Sequence, residues 1–84
     1  MSIYVSNLSS NFEENDLRQI FSEHGFVKKI QVYINQKTSV KKGFVVVEME
    51  TGAEEAAAIR ELRGTQWMGR YLKVNRAKTE YTIS

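Results

Sequence analysis

Lys41-Lys42-Gly43-Phe44-Val45-Val46-Val47-Glu48-Met49, residues 41–49, is the stretch on which the fold turns. An aromatic residue leading a β-branched run reads as a strand. Side chains alternate across a strand, so Val45, Val47 and Met49 point one way and Lys42, Phe44, Val46 and Glu48 the other. The first set is apolar throughout and asks for a core. The second mixes charge, ring and aliphatic surface, which suits the open face of a sheet covered on one side only.

Upstream of this strand, residues 35–41 carry Val40 as their one apolar residue and read as a flexible hairpin loop. Residues 27–34 form the strand before it, with Val27, Ile30 and Val32 inward and Lys29, Gln31 and Tyr33 outward, allowing for a slip near Lys28. Residues 2–6 alternate as a first strand, Ile3 and Val5 on one face and Ser2, Tyr4 and Ser6 on the other, and residues 7–11 form a turn. Between these strands Leu17, Ile20 and Phe21 recur at helical spacing behind Glu13, Glu14 and Asp16, acids that the helix dipole favours in a first turn. Phe12 stands at the hydrophobic-staple position, and Gly25 is expected in the left-handed conformation that ends a helix.

Downstream, Thr51 and Glu54 have the spacing of a capping box and open a second helix, with Ala58, Ile59 and Leu62 on one face and Gly64 at its end. Residues 71–77 alternate again, Leu72 and Val74 inward, Lys73, Asn75 and Ala77 outward; Arg76 falls inward by parity. The order is βαββαβ, an α+β ferredoxin-like sandwich with two helices packed on one face of a four-stranded antiparallel sheet. Residues 1–78 make the domain and residues 79–84 a short polar tail.

The 84 residues hold one domain, which buries roughly 60 to 65% of the surface its unfolded chain exposes. There is no cysteine, so disulfides and thiolate metal sites are excluded. With one histidine, His24, near a helix end, and carboxylates spread over helix surfaces, nucleophilic, zinc and general acid–base constellations lack their parts, and there is no P-loop. The chain reads as a binding module, not an enzyme, with no cofactor, catalytic residue or metal. No apolar run approaches the ~18 residues of a membrane span, and the first strand starts straight after Met1 without a hydrophobic leader, so a soluble cytoplasmic protein is expected. Asn7-Leu8-Ser9 matches a glycosylation sequon, but Asn7 is better read as a turn residue.

The net charge of +2 is modest, and its placement says more. Lys28, Lys29, Lys37, Lys41 and Lys42 lie between Phe26 and Val47 with no acid among them, whereas Glu13, Glu14, Asp16, Glu23, Glu54, Glu55 and Glu61 gather on the two helices. Such sorting presents one basic surface, as a polyanion partner requires; the plainer reading is a solvated loop.

Ile3-Tyr4-Val5-Ser6-Asn7-Leu8 resembles the hexamer of RNA recognition motif domains. Lys42-Gly43-Phe44-Val45-Val46-Val47-Glu48-Met49 stands where such domains carry an octamer of the type K/R-G-F/Y-G/A-F-V-x-F/Y. The likeness runs from Ile3 to Ala77 and, with Trp67-Met68-Gly69-Arg70 before the last strand, is most similar to the small single-domain RNA-binding proteins of cyanobacteria. The octamer is degenerate: Lys42, Gly43, Phe44 and Val47 match, while Val45, Val46 and Met49 do not.

The resemblance implies a protein that binds single-stranded RNA, mRNA above all, in post-transcriptional regulation. Sheet-face aromatics of this family stack two or three bases. Carried over, Tyr4 and Phe44 are the platforms, and a third ring is missing at Val46. One stacked base is worth about 1 to 3 kcal/mol, so binding is expected to be modest rather than absent. Tyr33, after Gln31 on the outward face, either supplies the missing ring or merely covers the sheet with its hydroxyl in water. The plainer reading makes Tyr4 and Phe44 buried sheet aromatics, but Ile3, Val5, Val45 and Val47 already claim the inward face. Lys42, with Lys29, Lys41 and Lys73 on the same face, is expected to meet phosphates. Asn75 and Lys78 lie where the family's last strand and tail read base edges. Glu48 either repels phosphate or accepts from a base amino group. Trp67 is read as plugging the sheet edge against a helix in preference to stacking a base from the loop. The alternative function is a protein-interaction module, binding a protein partner or a second copy through Val46, Phe44, Tyr4 and Tyr33 as an apolar patch.

Overall fold

The computed structural model describes residues 2–77. Along them run β1 (Ser2–Ser6), α1 (Glu14–Ser22), β2 (Val27–Ile34), β3 (Lys41–Met49), α2 (Gly52–Leu62), β4 (Gln66–Trp67), β5 (Arg70–Tyr71) and β6 (Lys73–Ala77). The main sheet has the order β2-β3-β1-β6 with every neighbouring pair antiparallel, which puts the strand of residues 41–49 in its interior. This is the ferredoxin-like α+β arrangement, a four-stranded antiparallel sheet with two helices.

The inward parity holds along the four strands except that Val32 is only partly buried and Leu72 falls just before β6. Ile3, Val5, Val27, Ile30, Val45, Val47, Met49, Leu72 and Val74 are buried in one cluster with Leu8, Phe12, Leu17, Phe21 and Ala58, so the core lies between sheet and helices. Phe12 and Leu17, the two ends of the staple, are both fully buried. At α2 the capping box is present: the Thr51 hydroxyl accepts from the Glu54 N–H at 3.2 Å, and the Thr51 N–H donates to the Glu54 carboxylate at 3.3 Å. Trp67 is partly buried and packed against the core cluster.

Some local expectations hold and others are corrected. The slip near Lys28 is a register shift between Val27 and Lys29, and a second shift separates Val32 from Ile34. A bulge adds one residue to one strand and re-aims the side chains beyond it. Gly25 is not in the left-handed helical conformation; its φ is 147°, and a Cβ there would overlap the side chain of Glu54, so the glycine admits the capping residue of α2. The strand expected over 71–77 is divided. Met68 and Gly69, with φ of 51° and 81°, turn the chain into a β4–β5 hairpin. The Leu72 N–H and C=O pair with Thr65 and Gly64, leaving β6 to start at Lys73. The loop between β2 and β3 is tied to itself: the Asn35 side chain accepts from the N–H groups of Lys37 and Thr38, and the Asn35 N–H donates to the Val40 carbonyl at 2.9 Å.

Two connections link sheet edge and helix layer. Arg63, just after α2, donates to the Val74 carbonyl at 3.1 Å and to Asn75 Oδ1 at 3.1 Å, so it covers part of the edge strand β6. Glu55 of α2 is 2% exposed and faces Arg76 Nη1 at 3.4 Å, which accounts for the inward parity of Arg76.

Candidate nucleic-acid interface

On the side of the sheet away from the core, strand register lines up the outward residues in rows. One row runs Gln31, Val46, Tyr4, Asn75, each the cross-strand partner of the next. A second runs Phe44, Ser6, Lys73. Toward the opposite end Lys29 pairs with Glu48 on one side of the sheet, and Ser2 with Ala77 on the other.

Tyr33 has no rung in this ladder because it lies inside the second register shift. The shift brings it over β3: its ring stacks on Phe44 with centroids 5.0 Å apart and 19° between planes. Phe44 in turn meets Tyr4 at 5.4 Å and 38°. Both geometries are within the favourable range for aromatic pairs. Three rings from β2, β3 and β1 therefore form an unbroken row, all of them partly accessible.

Val46 stands on the open face between Tyr4 and Gln31, but it is only 4% exposed. It acts as floor, not as a projecting apolar group. Lys29, Lys42, Lys73 and Asn75 are exposed, and Gln31 is half-buried. Glu48 is partly offset by Lys28, whose ammonium lies 4.0 Å away. Lys41 is corrected: it shares the parity of Gly43 and Val45, donates to the Phe12 carbonyl and sits 5.2 Å from the centre of the Phe12 ring, away from the open face. Lys78 lies outside the described residues.

Gly43 shows why a side chain is missing at the start of β3. The Leu8 N–H donates to the Gly43 carbonyl at 3.0 Å, and a Cβ on Gly43 would stand 3.0 Å from the Leu8 carbonyl oxygen. The two stretches that carry the hexamer and the octamer are thus held against each other through that glycine.

A model of the RNA recognition motif matches residues 3–73. The chain belongs to the RNA recognition motif family. RbpA of Synechocystis, a protein named for RNA binding, is 53% identical over 78 residues, covering 93% of this chain and 77% of its own. RbpB of Nostoc is 51% identical over the same length, 93% of this chain and 76% of its own. The crystal structure of RNA binding protein PG1 superposes with a TM-score of 0.87 at 36% identity, covering 92% of this chain and 93% of that one. The cyanobacterial likeness expected from the residues is therefore present, and the family is not known as one of enzymes.

Within this RNA recognition motif the octamer's departures divide by face. Val45 and Met49 are buried toward the helices. Val46 is the departure on the open face. Sequence reasoning passed over Ile34, Gln36 and Lys37 as site residues, although they border a groove of about 670 Å³ together with Tyr33, Lys42 and Phe44. Lys37 had a visible signal in the run of lysines without acids; Ile34 and Gln36 had none. No group of three or more metal-ligating side chains, and no helix long and apolar enough to cross a membrane, occurs among the described residues.

Proposed function

We propose that the protein binds single-stranded RNA of two to four nucleotides across the open sheet face, stacking bases on Tyr4 and Phe44 and holding phosphates with Lys42, Lys29 and Lys73. The observation that carries this reading is the row of rings Tyr33, Phe44 and Tyr4 on the open face of an RNA recognition motif. Domains of this family bind RNA through sheet-face aromatics, and the cyanobacterial relatives are named for RNA binding. Tyr33 takes the place of the ring absent at Val46. Gln31 and Asn75, in the row with Tyr4, supply polar groups for base edges; Lys78, next in sequence after β6, is assigned to the same task. Affinity is modest, because a stacked base contributes about 1 to 3 kcal/mol and the third platform sits at the sheet's edge. A domain acting by occupancy on mRNA serves post-transcriptional regulation.

The protein-docking alternative has less apolar surface to work with, since Val46 is covered. Titration of a labelled random-sequence RNA hexamer at two salt concentrations separates the readings. RNA binding predicts affinity that weakens with salt and is lost in a Tyr4→Ala, Phe44→Ala double variant. Unchanged affinity in that variant overturns the stacking mechanism, and no RNA binding together with dimerisation in sedimentation favours the docking module.

A further inference from the structure

Phe26, between α1 and β2, is 64% exposed and stands outside the core cluster. One exposed apolar residue is ordinary on a protein surface; its surroundings set this one apart. The Glu50 N–H donates to the Phe26 carbonyl at 2.9 Å, and the Glu54 side chain occupies the space beside Gly25, so both acids belong to the Phe26 end of the molecule. Glu23, three residues upstream, is exposed as well. The cation that follows, Lys28, is offset by Glu48 at 4.0 Å.

The opposite end of the β2–β3 hairpin has the reverse character. Its groove of about 670 Å³ is walled by the Tyr33 and Phe44 rings and by Ile34, 49% exposed, and is bordered by Lys37 and Lys42. Ligand pockets run from about 300 to 1,000 Å³, so this one admits a large side chain. Glu23, Glu50, Lys37 and Lys42 make no ion pair among the described residues, which leaves all four charges open to a partner. Residues 26 and 33 are separated along extended chain by roughly 23 Å, at about 3.3 Å per residue. A chain's own Phe26 therefore cannot fill its own groove, but that of another copy can.

We infer that the groove receives Phe26 of a second copy of this chain, with Lys37 and Lys42 facing that copy's Glu23 and Glu50. Ring meets ring at the centre of the contact, and opposite charges set its orientation. The two surfaces differ, so a docked pair still has one free Phe26 and one free groove, and the contact propagates head to tail without closing. One side chain in one groove buries less than the ~1,200 Å² of a stable complex, so association is weak, with a dissociation constant of about 0.1 to 1 mM. A docked copy also occupies Tyr33, Phe44 and Lys42. The competition with RNA that follows rests on the RNA-binding reading above, whereas the docking itself does not.

The test is sedimentation velocity of the full chain without RNA, over concentrations that bracket this constant. The wild type should grow from monomer through dimer to longer species, and raised salt should reverse the growth. Phe26→Ser removes the inserted ring at an exposed position, and a Lys37→Glu, Lys42→Glu double variant reverses the charge of the groove. Each should weaken association about tenfold or more. Each also keeps the half that the other lacks, so an equimolar mixture of the two should form dimers and nothing longer. Backbone amides of residue 26 and of residues 34–37 should shift together as the wild type is concentrated, a readout that needs no variant. A wild type that stays monomeric, growth unchanged in either variant, a mixture that stays monomeric or grows past dimers, or shifts confined to one of the two ends overturns the docking. None of these outcomes bears on RNA binding, which the labelled-hexamer titration tests separately.

Discussion

Replacing Val46 with phenylalanine restores a ring to the middle of the open face, and the structure sets what that ring can gain. Val46 lies directly across from Tyr4 on β1 and Gln31 on β2, and it is outside the core cluster. Side chains directly opposite on antiparallel strands have Cβ atoms about 4.5 to 5.5 Å apart, so the new ring stands against Tyr4 and rises from the floor of the face. Val46 is only 4% exposed, so the added volume must displace the side chains around it, and folding stability should fall by about 1 to 3 kcal/mol. A stacking platform is worth about 1 to 3 kcal/mol, or roughly 5- to 150-fold in affinity. The new ring also covers part of Tyr4, so the lower end applies, about fivefold tightening. The assay is fluorescence anisotropy with a labelled hexamer, with urea unfolding as the control. The gain should be larger in a Tyr33→Leu background, where the substitute ring is gone. Unchanged or weaker binding by a folded Val46→Phe variant refutes the reasoning, and equal gains in both backgrounds refute the claim that Tyr33 stands in for the missing ring.

Other contacts carry expected outcomes of their own. Lys42→Ala should reduce the dependence of log affinity on log salt concentration by about 0.7, one single-strand phosphate; titrations across a salt series measure it, and an unaltered slope removes Lys42 from the phosphate path. Glu55→Ala should lower stability in urea by about 1 to 3 kcal/mol, because Arg76 loses its carboxylate and a buried space opens; the half-exposed arginine can turn to water, which keeps the loss below that of a fully buried pair. A wild-type urea midpoint would show that the pair contributes nothing. Gly43→Ala should cost about 1 to 3 kcal/mol by pushing the Leu8 carbonyl away, with loss of protection at the Leu8 amide in hydrogen exchange as its signature.

Much of the fold was legible because its signals are local. The alternation in residues 2–6 and 41–49 assigned Ile3, Val5, Val45, Val47 and Met49 to the core, where all are buried. Thr51 and Glu54 make their capping box within four residues. The hairpin of β4 and β5 was missed because two-residue strands carry no periodicity and Met68 is an unusual residue for positive φ. Lys41 was misplaced by its charge, when its parity with Val45 already assigned it to the helix side.

By itself the sequence determined which side of each main strand is apolar, where the helices begin, and that Tyr4 and Phe44 share the open face. All of these depend on period and on neighbours a few residues away. Only the tertiary structure decided how those faces join. Whether Tyr33 reaches Phe44 depends on a bulge between Val32 and Ile34. Whether Val46 is accessible depends on what stands beside it in the finished sheet. That Glu55 meets Arg76, and that a groove opens beside the ring row, are set by strand register and helix docking. One residue of slip exchanges the two faces of a strand. Register belongs to the paired strands together, so it is absent from any one of them read alone.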